Sequence, residues 1–451
     1  MKIVISGSGE VGFHLAEQLV ASHQDVVLIE KNPARARFVT DHLDCLVVEG
    51  EGSNPEILAE AGVGGADTFI AVSNQDEVNI VSCLVVASEF EVKTRIARVR
   101  SLQYRRSGML SNSLLGIDYV VNPEIEAARS IMNIVAGGAT GEVLVFEGTG
   151  IQMRSIFVDS GSPFCGRTLR AVREALRYNF IIAGISRDEE VVIPHGETVI
   201  EAGDRIYIVA NRENMERILR KTGQRRDYLQ RVVVVGGGRI GSYVTEFLLS
   251  SGRDVKIVEK DYERCKHLAE RFPEALVINE DISDEKIFGD EQLHLADLLV
   301  TTTPDEALNM LTAIYAKSLG IKRVVPVVNK SSYLNIADQL GIDVTVSPKA
   351  SSVSAILKYV RRGNVKRVYA IFEGRAEAIE FTLGPESRIA GKRIRELKLP
   401  TGSLVVAVNR PQGGRSRNLV PNGEFRLAAG DNVVTFAKAE QVEALEKLFL
   451  N

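Results

Sequence analysis

The sequence predicts an α/β protein that uses one plan twice: a parallel, doubly wound sheet followed by a small, mainly β domain. Two observations carry this. MKIVISGSGEVGFHLAEQLVASHQDVVLIEK opens the chain and RVVVVGGGRIGSYVTEFLLSSGRDVKIVEK returns at Arg231, each joining a short apolar run, a G-x-G-x-x-G turn and a closing Glu-Lys pair. Behind each copy lies a β-rich segment punctuated by the same kinds of turn.

The repeat extends well beyond the glycines. Gly7, Gly9, Gly12 and Glu30 recur as Gly236, Gly238, Gly241 and Glu259, each 229 positions later. Ala66-Asp67 matches Ala296-Asp297, Asn79 matches Asn309, and Gly116-Ile117-Asp118 matches Gly341-Ile342-Asp343. Asn122-Pro123 is answered by Ser347-Pro348. Similarity sustained at one spacing marks an internal duplication.

Within the first copy, Ile3–Ile5 is a short apolar run, the pattern of a strand buried on both faces. Val11, Leu15, Ala16 and Leu19 follow at helical spacing, and Val26–Ile29 is the next strand. Leu46–Val48, Thr68–Val72 and Thr94–Ala97 predict three more. Apolar strands alternating with amphipathic helices imply a parallel sheet covered on both sides. Two Rossmann-like domains are therefore expected, over 1–135 and 229–360. The segments 136–223 and 361–451 differ. Val143–Val145, Ile181–Ile185 and Arg205–Val209, broken by Pro194-His195-Gly196 and Ala202-Gly203-Asp204, are echoed by Leu404–Val408, Pro421-Asn422-Gly423, Ala429-Gly430-Asp431 and Asn432–Phe436. Each segment predicts a small α+β domain.

A glycine triplet alone is weak evidence. Here each follows a strand, opens a helix and precedes an acidic residue after the next strand, the setting of a dinucleotide site. Gly7 permits the turn, Gly9 lets phosphate approach the backbone, and Gly12 lets the helix pack on the sheet. Helix-start N–H groups then face the anion. Glu30 and Glu259 can accept hydrogen bonds from ribose hydroxyls and repel a 2′-phosphate, which favours NAD over NADP. Ser73, Asn74 and Arg98 follow the fourth and fifth strands, where a crevice would lie. Arg98 answers equally to a phosphate contact or a surface salt bridge. Glu51 is a further crevice candidate, with Asp281 as its counterpart. The second copy has Val327 in place of Arg98, and Arg239 in place of Glu10, so its ligand is expected to differ and to favour a phosphate-rich one such as ATP.

Composition narrows the function classes. The chain has 451 residues, 45% apolar and 25% charged, with a formal charge of −4. That is the balance of a folded soluble protein of several domains, with no reason to expect nucleic acid as a partner. Arg225-Arg226 and Arg361-Arg362 read as solvated linkers. No apolar run approaches the ~18 residues of a membrane span, and Glu10 and the glycine turn fall where a secretory leader would be apolar. The four cysteines (45, 83, 165 and 265) form no close pair and read as reduced thiols. The six histidines (14, 23, 42, 195, 267 and 294) have structural readings, and Glu142 and Glu147 make no metal constellation. Hydride transfer needs a substrate domain and usually a proton donor, which these small β domains do not supply. Ligand binding rather than catalysis is the expected activity.

With MKIVISGSGEVG and Glu30, the Ser73-Asn74 to Asn79 segment, Ile96-Ala97-Arg98-Val99, the Asn122-Pro123 corner and the Gly-Asp turns at Gly203 and Gly430, the chain resembles, over essentially its full length, the peripheral regulatory subunits of bacterial Trk potassium-uptake systems. Their units are known as RCK or KTN domains, so the small domains would be of the RCK C-terminal type. The resemblance implies a non-catalytic gating subunit that couples NAD or NADH, and ATP or ADP, to the conductance of a Trk-type membrane subunit. It implies a homotetrameric gating ring, peripheral on the cytoplasmic face of the inner membrane. By the same resemblance Gly7, Ser8, Gly9, Glu10 and Val11 would hold the phosphates, Glu30 the adenosine ribose, and Ser73, Asn74 and Arg98 further parts of the ligand. Gly236, Gly237, Gly238, Arg239, Ile240 and Glu259 would act likewise in the second copy. Glu51 departs from the family's usual Gly-Asp form, which weakens its role as a ribose or switch contact. Two alternatives remain at this point: an NAD-dependent oxidoreductase, and a nucleotide-sensing module of another cation transporter.

Overall fold

The computed structural model describes residues 1–101, 104, 115–136, 143–146, 150–187, 190–222, 229–337, 340–342, 344–360, 365–371, 375–412 and 415–450. Glu142, Glu147, Arg225, Arg226, Asp343, Arg361 and Arg362, named above, lie outside the described residues.

Six strands build the first sheet: β1 (Lys2–Ser6), β2 (Asp25–Glu30), β3 (Leu46–Glu49), β4 (Thr68–Ala71), β5 (Thr94–Arg98) and β6 (Tyr119–Val121). All pair in parallel, in the order β3-β2-β1-β4-β5-β6. The first five fall on the predicted runs. The sixth is three residues of the corner after Gly116-Ile117-Asp118, too short to carry a periodicity of its own.

The plan then repeats along the chain. After β7 (Val143–Phe146), β8 (Ile151–Phe157), β9 (Phe180–Arg187), β10 (Glu190–Val192) and β11 (Arg205–Asn211), the parallel sheet reappears as β12 (Arg231–Val235), β13 (Asp254–Glu259), β14 (Leu276–Asn279), β15 (Leu298–Thr301) and β16 (Arg323–Pro326). Its order is β14-β13-β12-β15-β16. A single parallel bridge, Val327 to Val346, stands where the first sheet has β6. Tandem valines 232–235 in β12 are all buried, as expected of a central strand covered on both faces.

Each small domain is an antiparallel five-stranded sheet. The first runs β10-β9-β11-β8-β7; the second, built from β17 (Val365–Ile371), β18 (Ala376–Thr382), β19 (Ser403–Gln412), β20 (Arg415–Leu419) and β21 (Asn432–Lys438), runs β17-β18-β21-β19-β20. Strand for strand these are the same topology. The two sheets bury one core together, in which Phe146, Met153 and Tyr207 meet Ala376, Val406 and Phe436. The Gly-Asp turns have a structural reason: Asp204 and Asp431, each 1% exposed, take bidentate bonds from Arg187 (2.8 and 2.8 Å) and Arg410 (2.7 and 2.7 Å).

Two helices are exchanged between the parallel-sheet units. Helix Pro123–Ala136 leaves β6, yet its apolar side chains Ile125, Ala128, Ile131 and Val135 complete the core of the second sheet with Val232, Val244, Leu248 and Val255. Helix Pro348–Val360 does the converse, setting Val353, Ile356, Leu357 and Val360 against Ile3, Ile5, Leu15 and Val26 of the first. Where they cross, Ser130 and Ser351 are hydrogen-bonded at 3.0 Å and the Tyr119 and Tyr359 rings stack at 4.5 Å. Each unit is thus finished by a helix of the other. Among the described residues no helix is long and apolar enough to cross a membrane.

Candidate functional site

Reversal of strand order between β1 and β4, and between β12 and β15, opens a crevice at the carboxyl end of each parallel sheet. The glycine turns form its floor. Gly7 has φ +100°, and a Cβ there would come within 2.9 Å of the Ser73 backbone; Gly236 has φ +94° and the same relation to Thr303 at 3.0 Å. A Cβ on Gly12 would sit 1.9 Å from the Gly7 carbonyl oxygen, as would one on Gly241 from that of Gly236. These glycines let helix Glu10–Ala21 and helix Arg239–Ser250 press against their sheets.

Gly9 and Gly238 are different. A Cβ on Gly9 meets only Asn74 Oδ1, at 3.7 Å, and one on Gly238 meets nothing within 4 Å. These positions face the open crevice. Both glycines cap their helices without a side-chain hydrogen bond, whereas Asn32, Asn54 and Asp261 each accept a helix-start N–H. The first-turn amides of the two glycine-loop helices therefore point into the cavities with no capping side chain competing for them.

The first cavity, about 790 Å³, is lined by Gly7, Gly9, Glu10, Val11, Glu30, Glu51, Ser73, Asn74 and Arg98. Ser8 is the exception among the anticipated residues. It is fully buried and turned toward Glu30: its N–H and hydroxyl both donate to Glu30 Oε2, at 2.9 and 2.6 Å. The Asn32 N–H donates to Oε1 at 2.9 Å. Burial works to raise the Glu30 carboxyl, but the bonds from Ser8 and Asn32, with the charge of Arg35, outweigh it and hold the group below its ordinary value. Ser8 thus orients the acid, and of the two it is Glu30 that lines the cavity.

Arg98 resolves toward the crevice. It donates to the Ser73 carbonyl and Asn74 Oδ1, both at 3.3 Å, its Nε is buried with no hydrogen-bond partner, and no carboxylate among the described residues pairs with it. The salt-bridge reading of this residue is not the one realised. Glu51 leans to Lys31 at 3.7 Å on the rim and is half exposed. The repeated Asn79 is fully buried, where it accepts from the Ser73 N–H at 2.8 Å and donates to the carbonyls of Ser73 and Arg98 at 3.1 and 2.9 Å. It ties the ends of β4 and β5 into one rigid wall. Asn309 repeats these bonds to Thr303 and Val327.

The second cavity, about 1260 Å³, is lined by Gly236, Gly237, Gly238, Arg239, Ile240 and Glu259. Gly237 N–H and Asp261 N–H hold the two oxygens of Glu259 at 2.8 and 2.9 Å, and Arg264 adds a contact at 3.3 Å. Arg239 lies 3.8 Å from the Glu124 carboxylate of the first unit, so its charge is partly answered before any ligand arrives. His267 stands exposed at the mouth, while His14 is engaged with Glu17 at 2.8 Å and His294 with the Phe288 carbonyl at 2.8 Å. Among the described residues no group of three or more His, Cys, Asp or Glu side chains could hold a metal ion.

Comparison with known proteins decides the family. The TrkA-N domain model matches residues 3–123 and again 232–348, and the TrkA-C domain model matches 153–223 and 378–450. The chain belongs to the TrkA family. The Trk system potassium uptake protein TrkA of Halomonas elongata is 32% identical over 455 residues, spanning 100% of this chain and 98% of the relative. A TrkA homolog of Methanosarcina mazei is 32% identical over 456 residues, spanning both chains completely. Among solved structures, the GsuK RCK domain aligns over 100% of this chain and 95% of its own at 19% identity, with a TM-score of 0.58. The GsuK channel bound to NAD aligns over 100% and 79% at 20% identity, also with a TM-score of 0.58. These two show the shared fold.

In this TrkA-family chain the TrkA-N matches end at Pro123 and Pro348, where the exchanged helices begin. Sequence reasoning missed several crevice residues. Arg35 and Arg264 occupy equivalent positions on the second helix of each unit and line the two cavities; their identical offset was available as a signal. Arg100, Glu124, Asn329 and Lys349 also line the first cavity, but two of them come from the other unit, and no local pattern announces that.

Proposed function

We propose that this chain is a nucleotide-binding gating subunit of a Trk-type potassium-uptake system, in which ligand occupancy of the two crevices sets the conductance of a membrane partner. The observation that carries this reading is the pair of uncapped glycine-loop helices, each facing a cavity beside which a glutamate is held by the loop's own backbone. Gly7, Gly9, Glu10 and Val11 would receive the phosphates, Glu30 the ribose, and Ser73, Asn74 and Arg98 the remainder; Gly236–Ile240 and Glu259 would serve in the second crevice, with Glu51 at the rim of the first. NAD or NADH suits the acid-marked ribose position, and the cations of both cavities suit ATP or ADP. The relatives' names attach them to Trk potassium uptake, and a solved neighbour carries NAD, which supports the same choice. The natural divisions are 1–135, 136–223, 229–360 and 361–451, with the two crossover helices exchanged. Four such chains would form a ring against the cytoplasmic face of the membrane subunit.

The mechanism is linkage. A nucleotide that binds the open-permissive ring a hundredfold better supplies about 2.7 kcal/mol per site toward opening. Because each parallel sheet is completed by a helix of its neighbour, rearrangement around one glycine loop is felt by the other unit. The test is potassium flux through liposomes holding the Trk-type membrane subunit, with this protein added without nucleotide and then with NAD, NADH, ADP or ATP. Flux that depends on both protein and nucleotide is expected. Unchanged flux despite complex formation and bound nucleotide would overturn nucleotide gating.

A further inference from the structure

The two cavities share a wall. Arg100, Glu124, Ile240, Asn329 and Pro348 line both of them. Both crossover helices enter this junction by their first turns, and they bring opposite charges: residue two of the first is Glu124, and residue two of the second is Lys349.

The consequences differ on the two sides. Glu124, 4% exposed, accepts from Arg100 Nε at 2.7 Å and faces both cavities. Lys349 lines only the first. Its backbone N–H donates to Asn329 Oδ1 at 3.3 Å, which sets the helix start. No carboxylate among the described residues pairs with its ammonium; its charge is felt at Glu17, whose carboxyl is held below its ordinary value chiefly by the His14 hydrogen bond and in smaller part by Lys349. Arg100 and Arg98, the latter with its unpartnered Nε, line the same cavity. At the places matching Arg98 and Arg100, the second cavity has Val327 and Asn329.

Strand order fixes where a ligand's distal end would lie. Adenosine belongs on the β2 side, beside Glu30, and whatever extends past the glycine loop runs over β4 and β5. Arg100, bonded to Glu124, is common to both cavities; beyond it the first has Arg98 and Lys349, for which no carboxylate among the described residues is a partner, while the second has Arg239, which faces Glu124 at 3.8 Å. We infer that the first cavity is the polyphosphate-selective one, and that Lys349, supplied by the second unit, recognises the terminal phosphate of a nucleoside triphosphate seated on the first glycine loop. This rests on the nucleotide-binding reading above. The ammonium acts as a point charge on the phosphate that distinguishes a triphosphate from a diphosphate.

The experiment uses the full chain carrying Gly238→Val, which obstructs phosphate approach in the second cavity. ATP, ADP and NADH are titrated calorimetrically into that parent, and into the parent with Lys349→Gln, Lys349→Met or Lys349→Arg. The Gln and Met variants should each lose roughly fivefold to tenfold in ATP affinity and about twofold or less for ADP and NADH, with Arg retaining the preference. Melting temperatures identify any variant that does not fold, and the other neutral substitution then carries the comparison. An ATP-to-ADP affinity ratio unmoved by neutral substitutions, or an equal loss for all three ligands, overturns the role of Lys349 while leaving nucleotide binding intact. A folded parent that binds none of the three overturns both readings together.

Discussion

A Cβ placed on Gly12 would stand 1.9 Å from the carbonyl oxygen of Gly7. That distance separates two glycines that read alike in the motif. Gly12 is held by packing, whereas Gly9 fronts an open crevice where its Cβ meets only Asn74 Oδ1 at 3.7 Å. Gly12→Ala should therefore destabilise the first parallel-sheet unit by at least ~3 kcal/mol, because backbone must move. Gly9→Val should fold within about 1 kcal/mol of the parent and lose nucleotide binding in the first cavity. Denaturant melts paired with ligand titration check both; a Gly9→Val protein that binds normally would remove the proposed phosphate position.

Glu30 supplies a pH dependence with a definite sign. Its carboxyl is held below its ordinary value in the folded chain, against the pull of burial, by Ser8, Asn32 and Arg35. A depressed carboxylate contributes stability that is present above the unfolded value, about 4.3, and is lost as pH falls through the folded value. Glu30→Gln should therefore show a shallower acid limb in its stability profile than the wild type. It should also weaken NADH and ATP binding at neutral pH with oligomeric state unchanged. Identical acid limbs would mean that the Ser8 and Asn32 bonds do not favour the ionised form.

The exchanged helices predict coupled unfolding. Tyr359 stacks on Tyr119 and its hydroxyl donates to the Asp118 carbonyl at 2.9 Å, joining the two units at one edge. Tyr359→Ala should cost about 2 kcal/mol. It should also loosen the coupling of the units, read as faster hydrogen exchange in both helix Pro348–Val360 and helix Glu10–Ala21. Faster exchange confined to the first of these helices would show that the units are stabilised independently.

Asp204 is 1% exposed and bound in two places by Arg187, with the Glu201 N–H adding a third bond at 2.8 Å. Removing its charge takes away the buried, bidentate half of the Arg187 pairing and leaves the exposed Glu201 contact at 2.6 Å, so Asp204→Asn should destabilise the first small domain by about 2–4 kcal/mol in urea unfolding. The equivalent Asp431→Asn should behave alike, since Arg410 repeats the geometry. A cost below about 1 kcal/mol at both would make these turns merely local.

The local grammar was legible from the chain alone. Val232–Val235 reads as a strand covered on both faces, Gly7 and Gly236 are needed where the backbone turns through positive φ, and Glu30 and Glu259 end the second strand of their sheets. Repetition at a constant offset then made one unit predict the other. Each of these rests on interactions among residues close in sequence, or on the alternation of burial along one element.

Tertiary structure decided what the periodicity of a helix cannot. The apolar face of Pro123–Ala136 fits either parallel sheet equally well as a pattern, and only the juxtaposition of the two units sends it to the second and Pro348–Val360 to the first. The same juxtaposition brings Asn329 and Lys349 into a crevice built around Gly7, more than three hundred residues away along the chain. It also sets Glu124 3.8 Å from Arg239, a neighbour that nothing in the sequence around Arg239 announces. Side-chain chemistry is written locally, but the electric field of a site is summed over every charge that folding brings near it, and in each crevice of this chain some of those charges arrive from the other copy.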